Sequence, residues 1–403
     1  MIPLPLANIL HHKLRSALSA LGVAIGVCML VTLSGLARGS LEEVAQRWVG
    51  ADADLIVYPA RAMDNITTLS GAGLSAKDAA DVAALTVGGA PAVESVVPVF
   101  RYRTEIGGQE HDVFGVAPGD LPRMLGDRQI APGGRVYDRD GAFETWLRGR
   151  IAQAGDGLFD VPEADLATHG GLEMVIDRRL ARAARLAVGS TVYSAGHRFT
   201  IVGIVPAGVI VRAFVPRATA EFLVNGPLDR FTLMFVQLRD GVRVGAAAEA
   251  IRSAGRLAAV APDEFRGMLE SRFGIMYVYV DAVNAVTLVV AFLFVLVTLY
   301  TMVIQRTREI AVLKSMGATR GFILRGVLCE SLILSAAGAA VGVGLSFVAA
   351  AAIEAVRPLL TVTISWAWIA AAAAAAGAGG TLAAIYPAWC AMRVDVVEAL
   401  NLE

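Results

Sequence analysis

This sequence first lacks the parts of an enzyme. It has three lysines, and none follows a glycine, so no G-x-x-x-x-G-K-[ST] phosphate loop is present. No H-E-x-x-H or C-x-x-C spacing occurs. The five histidines, His11, His12, His111, His169 and His197, are scattered rather than set at metal-ligand intervals. Its three cysteines, Cys28, Cys329 and Cys390, fall in or beside charge-free runs. No disulfide framework is therefore expected, and cysteine does not report the redox compartment. Charge is scarce as well: 18% of residues are charged, against about 25% in soluble globular domains. A net charge of −1 and the absence of a long basic face leave nothing for a nucleic acid to bind. No catalytic residue, metal ligand or bound cofactor is expected in this chain.

Apolar sequence is abundant. The 403 residues are 56% hydrophobic with a mean hydropathy of +0.60. Four runs lack Asp, Glu, Lys and Arg: Ser16–Ala37, Ala282–Ile304, Ser331–Ile353 and Pro358–Met392. Each reaches the roughly 20 residues that a helix needs to cross a bilayer. Between the first two runs, residues 38–281 hold 26 of the 35 Lys+Arg and 30 of the 36 Asp+Glu. The expected fold is therefore four transmembrane helices plus a water-exposed α/β domain inserted between spans one and two. The spans are placed at 16–37, 282–304, 327–353 and 364–389, and the domain at 38–281. Residues 354–363 form a short loop between spans three and four, and 390–403 a tail. The first run is too long for a signal-peptide core and has no distinct small-x-small cleavage site, so it is read as an anchor.

Short basic loops stay in the cytoplasm. Residues 305–326 carry Arg306, Arg308, Lys314, Arg320 and Arg325 against one acid, Glu309. With an even number of spans, both termini are then cytoplasmic and 38–281 extracytoplasmic. Residues 1–15 place Leu6, Leu10 and Leu14 at helical spacing, as in a helix lying in the interface, or equally a cytosolic overhang of span one. Gly22 and Gly26, and again Gly338 and Gly342, give the small-x-x-x-small spacing that lets helices approach. Glu330, near the start of span three, reads as a helix-end residue within reach of Arg320 or Arg325.

Within 38–281, residues 52–60 and 93–106 have strand character, and 75–85 read as a helix capped by Ser75. A strand, a helix over 180–186, a turn and a hairpin follow, then a strand at 231–238 and a helix at 245–255. The Gly-, Asp- and Arg-rich stretch 118–170 breaks this pattern and reads as an inserted subdomain, leaving a two-lobed α/β domain.

The basic segment has more in it than a topology signal. "QRTREIAVLKSM" continues as helix, Gly317 suits the left-handed residue that ends one, and Thr319 can cap the next. Ile310, Leu313 and Met316 form an apolar face with charges around it. The expectation is a helix–turn–helix presenting that face to the cytosol.

At this point the residues resemble a family. "REIAVLKSMGATR" is similar to the R-E-I-G-containing segment that follows the second span in FtsX-like/MacB-like ABC transporter permeases. "NILHHKLRSALSALGVAIGV" resembles their entry into span one, "VGSTVYSAGHRFTIVGIVP" a segment of their outer domain, and "YPAWCAMRVDVVEAL" their closing motif. Ala311 stands at the usual glycine of R-E-I-G, and Val396 where proline is common.

The resemblance implies a non-catalytic, dimeric permease subunit of the bacterial inner membrane. ATP and Mg would be used by a separate cytosolic ATPase, with a second permease copy or paralogue and a periplasmic adaptor as further partners. Arg306, Arg308, Glu309, Ile310, Leu313, Lys314, Met316, Gly317 and Arg320 would be the ATPase-coupling residues. Gly22, Gly26, Gly338 and Gly342 would serve helix packing. The expected function is export or extraction of a hydrophobic or amphipathic cargo such as a lipid, lipoprotein, haem, drug or peptide. The alternative is a transmitter that controls an extracytoplasmic hydrolase or sensor.

Overall fold

The computed structural model describes residues 13–49, 53–61, 73–126, 129–138, 141–154, 161–206, 210–225, 228–253, 255–272, 274–305, 307–357 and 359–393. The expected interfacial segment before Lys13, Arg306 and the tail beyond Arg393 lie outside them. The chain divides into two units, Met1–Leu41 with Phe273–Glu403, and Glu42–Arg272.

In the first unit four helices are long and apolar enough to cross a membrane: Ser16–Ser40, Gly274–Gln305, Arg320–Val356 and Trp366–Arg393. Span one is part of a single helix, Lys13–Val49, that continues beyond the expected end of the span at Ala37. Aromatic residues mark where bilayer interfaces would cut these helices. Tyr279 and Tyr300 on span two, and Trp368 and Trp389 on span four, are each about 32 Å apart at 1.5 Å per residue, close to the thickness of a hydrocarbon core.

Small residues bring the spans together. A Cβ on Gly338 would stand 2.7 Å from the carbonyl oxygen of Ala20, and one on Gly342 would stand 2.6 Å from that of Ala24. Spans one and three therefore meet backbone to backbone. Gly22 and Gly26 face Phe294 and Ala291 of span two. The Ser331 hydroxyl donates to the carbonyl of Gly380 at 2.6 Å and so joins spans three and four. At the end opposite the basic segment, the Arg38 guanidinium lies over Tyr277 and Trp368, 5.2 and 4.5 Å from the ring centres. The Asn284 amide donates to Ser34 Oγ at 2.9 Å. Glu330 lies inside the helix Arg320–Val356 rather than at its end. It is 7% exposed inside the bundle, while Arg320 and Arg325 are exposed.

In the second unit the described residues form a nine-stranded sheet. Its strands are β1 Leu55–Pro59, β2 Val93–Ile106, β3 Gln109–Val116, β4 Glu173–Asp177, β5 Thr191–Ser194, β6 His197–Val205, β7 Ala213–Pro216, β8 Leu233–Leu238 and β9 Leu257–Val260. The spatial order is β9-β1-β8-β2-β3-β7-β4-β6-β5. Pairs β3/β7 and β4/β6 are parallel, and the remaining neighbours are antiparallel.

One sheet carries two cores. The first gathers Leu55, Val57, Met234 and Val236 beneath the helices Ala76–Ala83 and Val244–Ser253. The second gathers Phe100, Val113, Met174, Phe199 and Val215. Among the described residues, the stretch 118–170 builds no core of its own. Phe143, Leu147, Val161 and Leu166 from it join the second cluster, with Phe143 and Leu147 fully buried. These residues sit on or beside the helices Ala142–Ala154 and Glu163–Thr168, which pack on the sheet through them.

Candidate coupling site

The basic segment folds as the helix Thr307–Ser315, a turn and the start of span three. Glu309 lies in the first turn of this helix and Lys314 in the last, the arrangement that complements the helix dipole. Gly317 then takes a φ of +95°. The Ala318 amide bonds back to the Leu313 carbonyl and the Gly317 amide to that of Lys314, both at 3.0 Å, which forms a Schellman ending. Thr319 caps span three, its hydroxyl accepting from the Phe322 amide at 3.3 Å.

One side of this short helix is rooted in the bundle. Ile310 is 9% exposed and packs in a cluster with Val303, Ile323 and Ala391. The Lys314 ammonium donates to the carbonyl of Met392 at 2.8 Å and so ties the helix to the last turn of span four. The other side is open. Met316 is 72% exposed and Val312 41%, and Phe322 on the next helix is 54% exposed. Arg308, Glu309, Arg320 and Arg325 are exposed around them.

This corrects the expected docking face. Ile310 is not available to a partner, and Leu313 is half-buried. In sequence, Ile310 stands seven residues beyond Val303, the spacing of two helical turns, and like Val295, Leu299 and Val303 it is buried. That spacing was present in the sequence and identifies Ile310 as an anchor. Of the expected apolar face, Met316 stays accessible, and Val312 joins it. Arg306 lies outside the described residues.

A second arrangement was invisible in the sequence. Glu43, in the last turns of the span-one helix, pairs with Arg47 one turn on, with Arg179 at 2.8 Å and with Arg212 at 3.4 Å. Arg212 also reaches Asp177 at 3.3 Å, and Asp177 caps the helix Arg178–Ala183 through the Leu180 amide at 2.6 Å. Burial raises the Asp177 carboxyl above its ordinary range, against the opposing pull of the Leu180 amide and Arg212. Burial, then Arg212, holds the nearby His111 imidazole below its usual value. Glu43 and Arg212 are 169 residues apart in the chain, so no local pattern signals the pair.

Residues 16–254 match the model of the MacB-like periplasmic core domain, and residues 282–396 that of the FtsX-like permease C-terminal region. The first match covers more than half of the chain. The chain belongs to the MacB-like/FtsX-like family of ABC transporter permeases. It is similar to the macrolide export ATP-binding/permease protein MacB of Neisseria gonorrhoeae, 24% identical over 357 residues, 84% of this chain and 51% of that protein. It is also similar to the ABC transporter permease YknZ of Bacillus subtilis, 31% identical over 129 residues, 32% of each. The crystal structure of the periplasmic region of MacB from Actinobacillus actinomycetemcomitans overlays with a TM-score of 0.35 at 15% identity, covering 55% of this chain and 94% of that one. The permease spans about half the length of that Neisseria MacB protein. The family and the four apolar helices make it a protein of the bacterial inner membrane with a periplasmic α/β domain between spans one and two.

Proposed function

We propose that this permease converts nucleotide-driven closure of a cytosolic ATPase dimer into motion of its periplasmic domain, for export or extraction of a hydrophobic or amphipathic cargo. ATP and Mg belong to the ATPase, read here as a separate chain. The relatives' name, ATP-binding/permease protein, joins the two parts in one protein. The permease acts as a dimer with a second copy or paralogue, with an adaptor on the periplasmic side. The excess of arginine and lysine in residues 305–326 favours a cytoplasmic position for that segment and for both termini.

The observation that carries this reading is the two-sidedness of Thr307–Ser315. Met316 and Val312 stand in solvent while Ile310 and Lys314 hold the helix to spans two, three and four. A push on the exposed knob would therefore reach the bundle without first bending a loop. From there, close contacts run through Ser331–Gly380 and Gly338–Ala20 to the span-one helix, which continues to Val49.

The test is site-directed cross-linking in vesicles holding the permease with its ATPase, in a background where Cys28, Cys329 and Cys390 are replaced by serine. Met316→Cys should cross-link to the ATPase, and Val188→Cys, exposed in the periplasmic domain, should not. Absence of any Met316→Cys adduct with an otherwise active complex would reject the docking assignment.

A further inference from the structure

Span four ends in a surface that the coupling reading leaves unused. Leu382, Ile385, Tyr386 and Trp389 are 60, 55, 50 and 43% exposed and recur at helical spacing along one side. Ala383, Ala384, Pro387, Ala388 and Ala391 on the other side are buried in the bundle. One turn beyond Trp389, in line with the stripe, stands Arg393. Its guanidinium lies 3.8 Å from the centre of the Trp389 ring. Trp389 stacks on Tyr386, which packs on Tyr300 of span two.

We propose that this stripe holds one anionic phospholipid, its acyl chain along Leu382–Trp389 and its phosphate on Arg393. The occupant follows from charge and depth. The stripe lies between the aromatic levels that mark the bilayer interfaces, at the depth of the acyl chains, and Arg393 is at headgroup height. The surroundings favour an anion. Among the described residues, the exposed Arg308, Arg320 and Arg325 lie on the helices at the same end, with Glu309 the exposed acid among them. The Lys314 ammonium, on the Met392 carbonyl, adds a cation one residue before Arg393. Stacking on Trp389 orders the Arg393 fork, so less rotamer freedom is lost when it pairs with a phosphate. A diffuse basic rim would attract such lipids without choosing a position. The Arg393–Trp389 stack supplies the position.

The full chain is reconstituted in phosphatidylcholine vesicles containing brominated phosphatidylglycerol or, in parallel, brominated phosphatidylcholine. Quenching lost in Trp389→Phe gives the Trp389 signal. Phosphatidylglycerol should be preferred at Trp389 by about fivefold, the factor that one interfacial cation contributes. Arg393→Gln should bring the preference to about one, and Arg325→Gln should leave it unchanged. Equal quenching by the two lipids would overturn the proposal, as would a preference that survives Arg393→Gln or falls equally in Arg325→Gln. Millimolar inorganic phosphate, against chloride of equal ionic strength, should leave the preference intact. Its abolition would make this a free-anion site and reject the lipid.

Discussion

Lys314 and Met392 lie 78 residues apart in the chain, and the ammonium of one donates to the backbone carbonyl of the other at 2.8 Å. This bond fastens the candidate coupling helix to the span-four helix. Lys314→Met keeps the aliphatic stem and removes the bond, at a cost of about 1–2 kcal/mol. Hydrogen exchange in detergent should show the amides of 386–393 opening roughly tenfold faster, the factor that corresponds to about 1.4 kcal/mol. Unchanged exchange there would mean that Ile310 packing alone holds the helix.

The Gly338 contact predicts a sharp difference between neighbouring glycines. Gly338→Ala drives a methyl to 2.7 Å from both the Ala20 carbonyl oxygen and Val23 Cβ, and span one must move. A loss of about 1–3 kcal/mol is expected. Gly344→Ala on the same helix meets nothing within 4 Å and should be neutral or slightly stabilising. Thermal unfolding of the two variants in the same detergent separates these outcomes.

Glu221 predicts a pH dependence of the periplasmic domain. Burial raises its carboxyl to about 7, with Arg217 pulling the other way, and the Asp229 amide donates to it at 2.7 Å. The carboxyl ordinarily titrates at 4.5. The folded state therefore holds the proton more tightly than the unfolded state. The penalty for ionisation is complete above about pH 7 and is relieved as pH falls from 7 towards 4.5. Glu221→Gln should remove this dependence and match or exceed the wild type above pH 8, by up to about 3 kcal/mol. Exchange rates over the helix Arg217–Asn225, compared at pH 6 and 8 after correction for intrinsic rates, are the readout. Equal pH dependence in variant and wild type would contradict it.

Glu43 serves guanidiniums from three parts of the sequence. Glu43→Ala removes the carboxylate shared by Arg47, Arg179 and Arg212 while Asp177 stays on Arg212, and a cost of about 3 kcal/mol is expected. The amides of 42–49 should then exchange markedly faster, while those of spans two to four keep their rates. Uniform loosening of both units would show Glu43 to be a general stability residue rather than a local fastener.

The parts legible in sequence were those written in local pattern. Charge-free runs marked the spans, and β-branched runs marked β2 and β8 within a residue or two. Ser75, Gly317 and Thr319 announced helix ends through chemistry that acts within four residues. What could not be read depended on distant partners. Strand β7, the four residues Ala213–Pro216, is too short for periodicity and is fixed by pairing with β3 and β4. The stretch 118–170 looked separate because it is rich in Gly, Asp and Arg, whereas Phe143 and Leu147 carry it into the common core. The exposed reading of Ile310 failed for a different reason. An apolar face on an amphipathic helix does not say what it faces, and here it faces Ile323 and Ala391.

The central claim is that the exposed knob of Thr307–Ser315 delivers ATPase motion to the periplasmic domain. Its most direct test is the distance between spin labels at Tyr193→Cys on the two copies of the permease, in the complex reconstituted with its ATPase and with the native cysteines replaced. Tyr193 is 62% exposed on β5 of the periplasmic domain. With ATP and vanadate, the wild-type background should show a shifted distance distribution. Met316→Asp should show none while its complex still hydrolyses ATP. The same ATP-dependent shift in Met316→Asp would contradict the account.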